Sequence, residues 1–332
     1  MPPKLTTDGY IGLAKQAAID GPVAPVAGLY IKYLSESLVN EQEDIKGVEG
    51  GSGRYMIESY KSTHKVTGDV SFYARPDVLG FLIGMFMGGD TFTAKAVGVT
   101  PSNHVFGVPV IPHFFTIARG VDAATPTLIE RFQDCVVESL TIEGESSQPL
   151  KCTASIIGTK GVKQAAADTP TYEDNDPLMY FDTPIFTTDI GVTVEISKFS
   201  IKMSNNFDVW FGPGMTPKEM IEKLFTIDVN YTLKFLTSAD YVKVYYGAAG
   251  GLTITDTIAD GSFQASFEYG LLDLKRSLDI NIKHLKRNPA PVNLDGAAAP
   301  IFQECVGYAV KVGADNLTDI VVKNSYDTDY DT

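Results

Sequence analysis

The sequence predicts a mainly β protein built as two similar units in tandem, and three observations carry that expectation. Apolar and polar residues alternate over several stretches, as in Val66, Val70 and Phe72 against Thr67, Asp69, Ser71 and Tyr73, the period of a strand with one buried face. Helical signatures are few and short. The order of elements also recurs. Thr67, Asp69, Val70 and Phe72 align with Thr226, Asp228, Val229 and Tyr231, and after a four-residue insertion Asp77, Leu79, Phe81 and Gly84 align with Asp240, Val242, Val244 and Gly247. A length of 332 residues suits two domains of about 150 residues each.

The first 27 residues read as an N-terminal arm, with Pro22 and Pro25 interrupting an Ala/Gly-rich stretch. A first unit over residues 28–160 opens with a strand-like segment, Leu29 to Val39, and a long loop, Asn40 to Gly53. Loops of that length inside a compact domain are usually functional or disordered. After the Lys65–Tyr73 strand, Arg75-Pro76-Asp77 opens a short helix, because proline suits the first turn and an acid complements the dipole. Val78, Leu79, Leu82, Ile83 and Phe86 form its apolar stripe, and Gly88-Gly89 ends it. Val136–Glu143 and Leu150–Ile157 read as a hairpin.

Residues 161–184 lose apolar character and read as a linker. A second unit over 185–325 repeats the pattern. Val192 to Met203 is a strand with a phase change at Ser197-Lys198 that predicts a bulge. Pro217 to Leu224 reads as a helical turn, Phe225 to Phe235 as a strand, and Ser238-Ala239-Asp240 as the start of a short helix ended by Gly250-Gly251. Late strands (Ser262 to Tyr269, Leu274 to Leu285, Val306 to Val312) complete the unit, and residues 326–332 form an acidic tail.

Composition narrows the function. The net charge is −14; residues 1–166 hold 14 Lys and Arg against 17 Asp and Glu, and residues 167–332 hold 13 against 24. A protein that grips nucleic acid presents a basic face, which this balance does not supply. The apolar run Val78 to Met87 is far short of the roughly 20 residues that span a bilayer. The N-terminus lacks the apolar core of a secretory signal, so a soluble protein made in the cytoplasm, without membrane anchoring, is expected. Cys135, Cys152 and Cys305 show no CxxC spacing and read as buried side chains.

No catalytic constellation emerges. His64, His104, His113 and His284 are scattered without HxH or HxxxH spacing. Gly47 to Gly53 lacks the Lys-Ser/Thr of a phosphate loop, Asp174-Asn175-Asp176 lacks EF-hand spacing, and no Gly-x-Ser-x-Gly elbow occurs. No enzyme activity and no cofactor are expected. A tandem binding or surface-display module is the alternative to a structural assembly protein.

Glu58-Ser59-Tyr60-Lys61, Gly68-Asp69-Val70 and Ala74-Arg75-Pro76-Asp77-Val78-Leu79-Gly80 together resemble the first-domain pattern of siphophage tail tube proteins. So do Asp134 to Gly158 and the strand Val194 to Asn206 that closes on Asn205-Asn206. The resemblance implies two tandem β-sandwich tail-tube domains, each with a short flanking α-helix, and a major tail tube subunit in the virion tail. It further implies partners: copies of itself in stacked rings (three two-domain chains as a pseudo-hexamer, or a hexamer), the tape measure, tail terminator and tail tip proteins, and double-stranded DNA in transit.

Six domains of four barrel strands each make 24 strands. At about 4.8 Å spacing and a tilt near 40° the circumference is roughly 150 Å and the bore about 40 Å, wide enough for a hydrated duplex. Expected channel-lining residues are the polar members of alternating strands: Thr67, Asp69, Ser71, Ser139, Thr141, Glu143, Asp228, Asn230 and Thr232. Short polar and acidic side chains there let DNA slide rather than bind. Expected inter-ring contacts are Glu41, Glu43, Asp44 and Glu49 in the first loop, Asn205, Asn206, Trp210 and Phe211 in the second, and the N-terminal arm.

Overall fold

The computed structural model describes residues 9–19, 21–47, 58–107, 112–121, 128–166, 168–182, 184–188, 194–234, 242, 245–246, 251–253, 260–288, 301–313 and 316–330. The alternation read from the sequence forms strands throughout. The first half contains β1 (Tyr10–Lys15), β2 (Tyr30–Ile31), β3 (Tyr33–Glu36), β4 (Val39–Gly47), β5 (Glu58–Tyr73), helix α1 (Pro76–Met87), β6 (Asp90–Thr93), β7 (Ser102–Phe106), β8 (Phe115–Val121), β9 (Leu128–Glu145), β10 (Lys151–Gly158) and β11 (Lys160–Lys163). The second contains β12 (Ile185–Thr188), β13 (Ile196–Ser204), β14 (Asp208–Trp210), β15 (Glu219–Ile221), β16 (Thr226–Lys234), β17 (Asp260–Tyr269), β18 (Arg276–Asn288), β19 (Phe302–Ala309) and β20 (Thr318–Asn324). The protein is mainly β with the character of a sandwich.

Strand pairing follows one order in both halves. In the first, β3 and β4 pair β5, β5 pairs β10, and β10 pairs the late part of β9. In the second, β13 pairs β16, β16 pairs β19, and β19 pairs the end of β18. The opposing sheets run β1–β8–β9–β11 and β12–β17–β18–β20. Both long strands bend from one sheet to the other at a bulge of the same kind. Phe115 and Ile117 face Cys135 and Phe132, and Gly261 and Phe263 face Leu285 and Ile282, three residues advancing against two. On β9 the bend falls at Asp134, whose positive φ of 50° is held by bonds from Gln16 Nε2 (2.9 Å) and Thr159 Oγ1 (2.6 Å) to its carboxylate. Left-handed backbone at a non-glycine residue is costly without such bracing.

The halves also exchange strands. β9 pairs β13 from Ser139↔Ser204 to Glu145↔Lys198, so the sheet runs unbroken from β3 to β19. The hairpin β6–β7 extends the β12–β17–β18–β20 sheet by pairing β7 with β20. The core lies between the layers, with Phe72, Leu140, Ile142, Phe199, Ile201, Val229, Phe263, Phe267 and Ile280 all buried.

Helix α1 is buried on every side save Asp77, so it is a core helix rather than an amphipathic surface one. Its N-cap, Arg75, makes no side-chain cap bond; the caps come from Glu173, whose carboxylate oxygens accept from Asp77 N (2.8 Å) and Val78 N (3.0 Å). Burial, with the Asp77 charge adding to it, pushes Glu173 up to about 7. Asn175 ties the same corner together, donating to Asp77, Glu173 and Ser325 and accepting from Arg276 Nε. The Asp174-Asn175-Asp176 motif therefore works as a structural clip.

Several expectations meet a different structure. The stretch read as a linker is docked over much of its described length: β11 pairs β9, Glu173 caps α1, and Leu178 N bonds Ala74 O. The N-terminal arm contributes β1 to the core, with Tyr10, Ile11 and Leu13 buried. Residues 40–47 of the long loop belong to a strand, β4, laddered to β5, and 48–57, Glu49 among them, lie outside the described residues. The helical turn predicted at Pro217 is instead a short hairpin, β14–β15, because Lys218 N bonds Trp210 O across it. The second helix is described only at Val242, Tyr245 and Tyr246. The bulge expected near Ser197 is present between Ile196 and Lys198.

The acidic tail is packed as well. Tyr330 is 2% exposed against α1, where Gly80 and Gly84 leave room for it.

Candidate functional site

The nine channel-lining candidates fall on one face of the continuous sheet. Register places Ser71, Thr153, Thr141, Lys202 and Asp228 in one row across five strands. A second row reads Asp69, Ser155, Ser139, Ser204 and Thr226. Glu143, Ser200 and Asn230 form a third, and Glu145, Lys198 and Thr232 a fourth. Thr67 shares the face two residues from Asp69. The reverse face carries Val70, Phe72, Cys152, Leu140, Ile201 and Val229 into the core.

Along the rows short side chains bond one another: Ser71 Oγ lies 2.9 Å from Thr153 Oγ1, and Ser155 Oγ donates to Asp69 Oδ1 at 2.6 Å. Ser71 and Ser139 are nearly buried by these neighbours, whereas Asp69, Asp228 and Asn230 are exposed.

The face is of mixed charge. Each of three lysines stands directly opposite a carboxylate on the next strand: Lys151 opposite Glu143, Lys198 opposite Glu145, Lys202 opposite Asp228. Sequence reading missed these lysines, although their alternation with buried residues of their own strands (Cys152, Phe199, Ile201 and Met203) was the available signal. Opposite charges at directly paired positions offset one another at short range. β19 departs from the polar pattern, for Val306 and Tyr308 are exposed where β10 carries Thr153 and Ser155.

Of the inter-ring candidates, Glu41, Glu43 and Asp44 are exposed along the β4–β5 hairpin. Asn206 and Trp210 are exposed and Phe211 is half-buried, with Lys218 Nζ 5.8 Å from the Trp210 ring. Asn205 is committed within the chain. It is 4% exposed and donates to Phe86 O (3.0 Å) and Val137 O (3.4 Å) at the junction of the halves.

The remaining chemistry is structural. His104 Nδ1 bonds Asp90 Oδ2 at 2.6 Å and Nε2 bonds Tyr326 O, both side chains fully buried. Burial raises the Cys135 and Cys152 thiols, which removes the thiolate a nucleophile needs. Among the described residues no three His, Cys, Asp or Glu side chains group to hold a metal, and no helix is long and apolar enough to cross a membrane.

None of the curated proteins compared with the chain matches it. The family model described as phage tail tube protein matches residues 6–308, from just before β1 to the end of β19. On that match the chain belongs to the phage tail tube protein family, a structural component of the virion tail.

Proposed function

We propose that the chain is the major tail tube subunit of a phage with a long non-contractile tail, carrying two tandem tube domains at 28–160 and 185–325. Three chains close a pseudo-hexameric ring, and the stacked rings conduct DNA. The observation that supports this reading is the β9–β13 junction. It joins two four-strand runs of the same pairing order into one sheet with a polar face. β3 stands in the first half where β13 stands in the second, and its outer edge is open among the described residues. The end of a neighbour's β18 takes the part of β9 there, so six such runs make 24 strands around a bore of about 40 Å.

The polar face then lines the bore. Cross-strand pairing of its lysines with carboxylates leaves few unopposed cations to hold phosphates. The β4–β5 hairpin and the β14–β15 hairpin lead away from the barrel strands and make the contacts between rings. The tape measure protein fills the bore before ejection, and tail terminator and tip proteins close the two ends.

Electron microscopy of the concentrated protein tests the reading. Stacked rings of three chains with six-fold modulation are expected; a protein that stays monomeric at every concentration refutes it.

A further inference from the structure

An apolar cavity of about 600 Å³ opens where β16 begins and β19 ends, lined by Leu224, Phe225, Ile227, Tyr308, Val310 and Leu317. Its place in the second half has a counterpart in the first. β16 corresponds to β5 and β19 to β10, so the connection from β19 to β20 corresponds to that from β10 to β11. The counterpart therefore lies near His64, Thr159 and Lys160. In the first half it is partly covered. The segment leading from β14 to β15 lies over it, with His64 N donating to Met215 O at 2.8 Å and Phe211, Pro213 and Thr216 facing Asp134, Thr159 and Lys160 across a remaining cavity of about 420 Å³. The ring of Phe225, 5.7 Å from Phe86, secures the same junction.

That covering segment is the connection between β13 and β16. In the first half the corresponding connection is the β4–β5 hairpin. The hairpin exposes apolar side chains: Val39 is 51% exposed and Ile45 is 56% exposed. It also carries Glu41, Glu43 and Asp44, while Lys311 stands exposed at the rim of the cavity. Within one chain the two cannot meet. From β5 to β16 the sheet crosses β10, β9 and β13, about 19 Å at 4.8 Å per step. Burial of solvent-facing apolar surface drives the association, and the opposed charges set its register.

We propose that this cavity is a socket for the β4–β5 hairpin of a second copy of the chain, which seats there as the β14–β15 segment seats on the first half. The proposal rests on the ring reading above and adds a lateral lock to it. The β4 side of the hairpin makes this contact within the ring, beside the contacts between rings proposed above. Filling the cavity also covers Leu224, otherwise 76% exposed.

The test is a double variant, Ile45→Cys with Leu224→Cys, treated with a short bismaleimide and run on a denaturing gel, with each single variant as control. The three native cysteines are buried. Chains cross-linked into dimers and closed trimers in the assembled fraction, with none in the monomer fraction, are expected. Leu224→Asp should raise the concentration needed for assembly at least tenfold. Rings that form in the double variant without any cross-link overturn the socket and leave the ring reading standing. Wild-type protein that never assembles overturns both.

Discussion

Replacing Tyr330 tests whether the C-terminal segment is part of the fold, as its burial requires. The ring lies parallel to Tyr326 at 4.8 Å and also packs on His104, Phe81 and Phe106. Truncating a buried aromatic to alanine costs about 3–5 kcal/mol. The hydroxyl accepts from Asn324 Nδ2 (3.0 Å) and donates to Asp77 O (3.1 Å), together about 1–2 kcal/mol. Tyr330→Phe should therefore lose about 1–2 kcal/mol and Tyr330→Ala about 4–7 kcal/mol, measured by urea unfolding followed by circular dichroism.

A second variant reverses sign with context. A Cβ at Gly84 would meet Tyr330 Cβ at 2.8 Å, so Gly84→Ala destabilises the wild type. In a Tyr330→Gly background, which removes that Cβ as well as the ring, the clash is gone and helix propensity alone remains, a gain of about 1 kcal/mol. Tyr330→Ala within about 1 kcal/mol of wild type, or Gly84→Ala acting alike in both backgrounds, refutes the docking of the tail on α1.

Glu173 makes stability fall as pH rises. Its folded pKa of about 7 lies above the ordinary 4.5, so its contribution is full below pH 4.5 and is lost as pH climbs through 7. Against Glu173→Gln, the wild type should lose up to roughly 3 kcal/mol across that window; parallel stability curves would contradict this. Asn205→Ala removes two bonds to carbonyls at the junction of the halves and should cost about 1–3 kcal/mol, read from the same unfolding curves. Combining Glu143→Gln, Glu145→Gln and Asp228→Asn leaves Lys151, Lys198 and Lys202 unopposed. Assembled variant should retain duplex DNA at low salt and release it as salt rises, whereas wild type retains little; equal retention by both would remove the charge-pairing argument.

The period-two pattern of β5, β9 and β16 was legible because each strand buries one face, so the nine polar candidates could be read onto a common face without knowing their neighbours. The α1 boundaries were legible from Pro76 and Gly88, and the bulge at Ser197 from a break in phase. All are local signals, confined to a few residues of chain. What pairs with what was not local. The low apolar content of 161–184 and 326–332 looks like linker and tail. Yet Glu173 caps a helix 95 residues away and Tyr330 fills a groove made by Gly80 and Gly84. Likewise Lys202 opposite Asp228 and Asn205 beneath Phe86 exist only once β13 lies between β9 and β16. Sequence alone determined which residues alternate, because that depends on backbone geometry. The tertiary structure decided which polar residues are buried, because satisfying a buried polar group takes partners that only folding brings within reach.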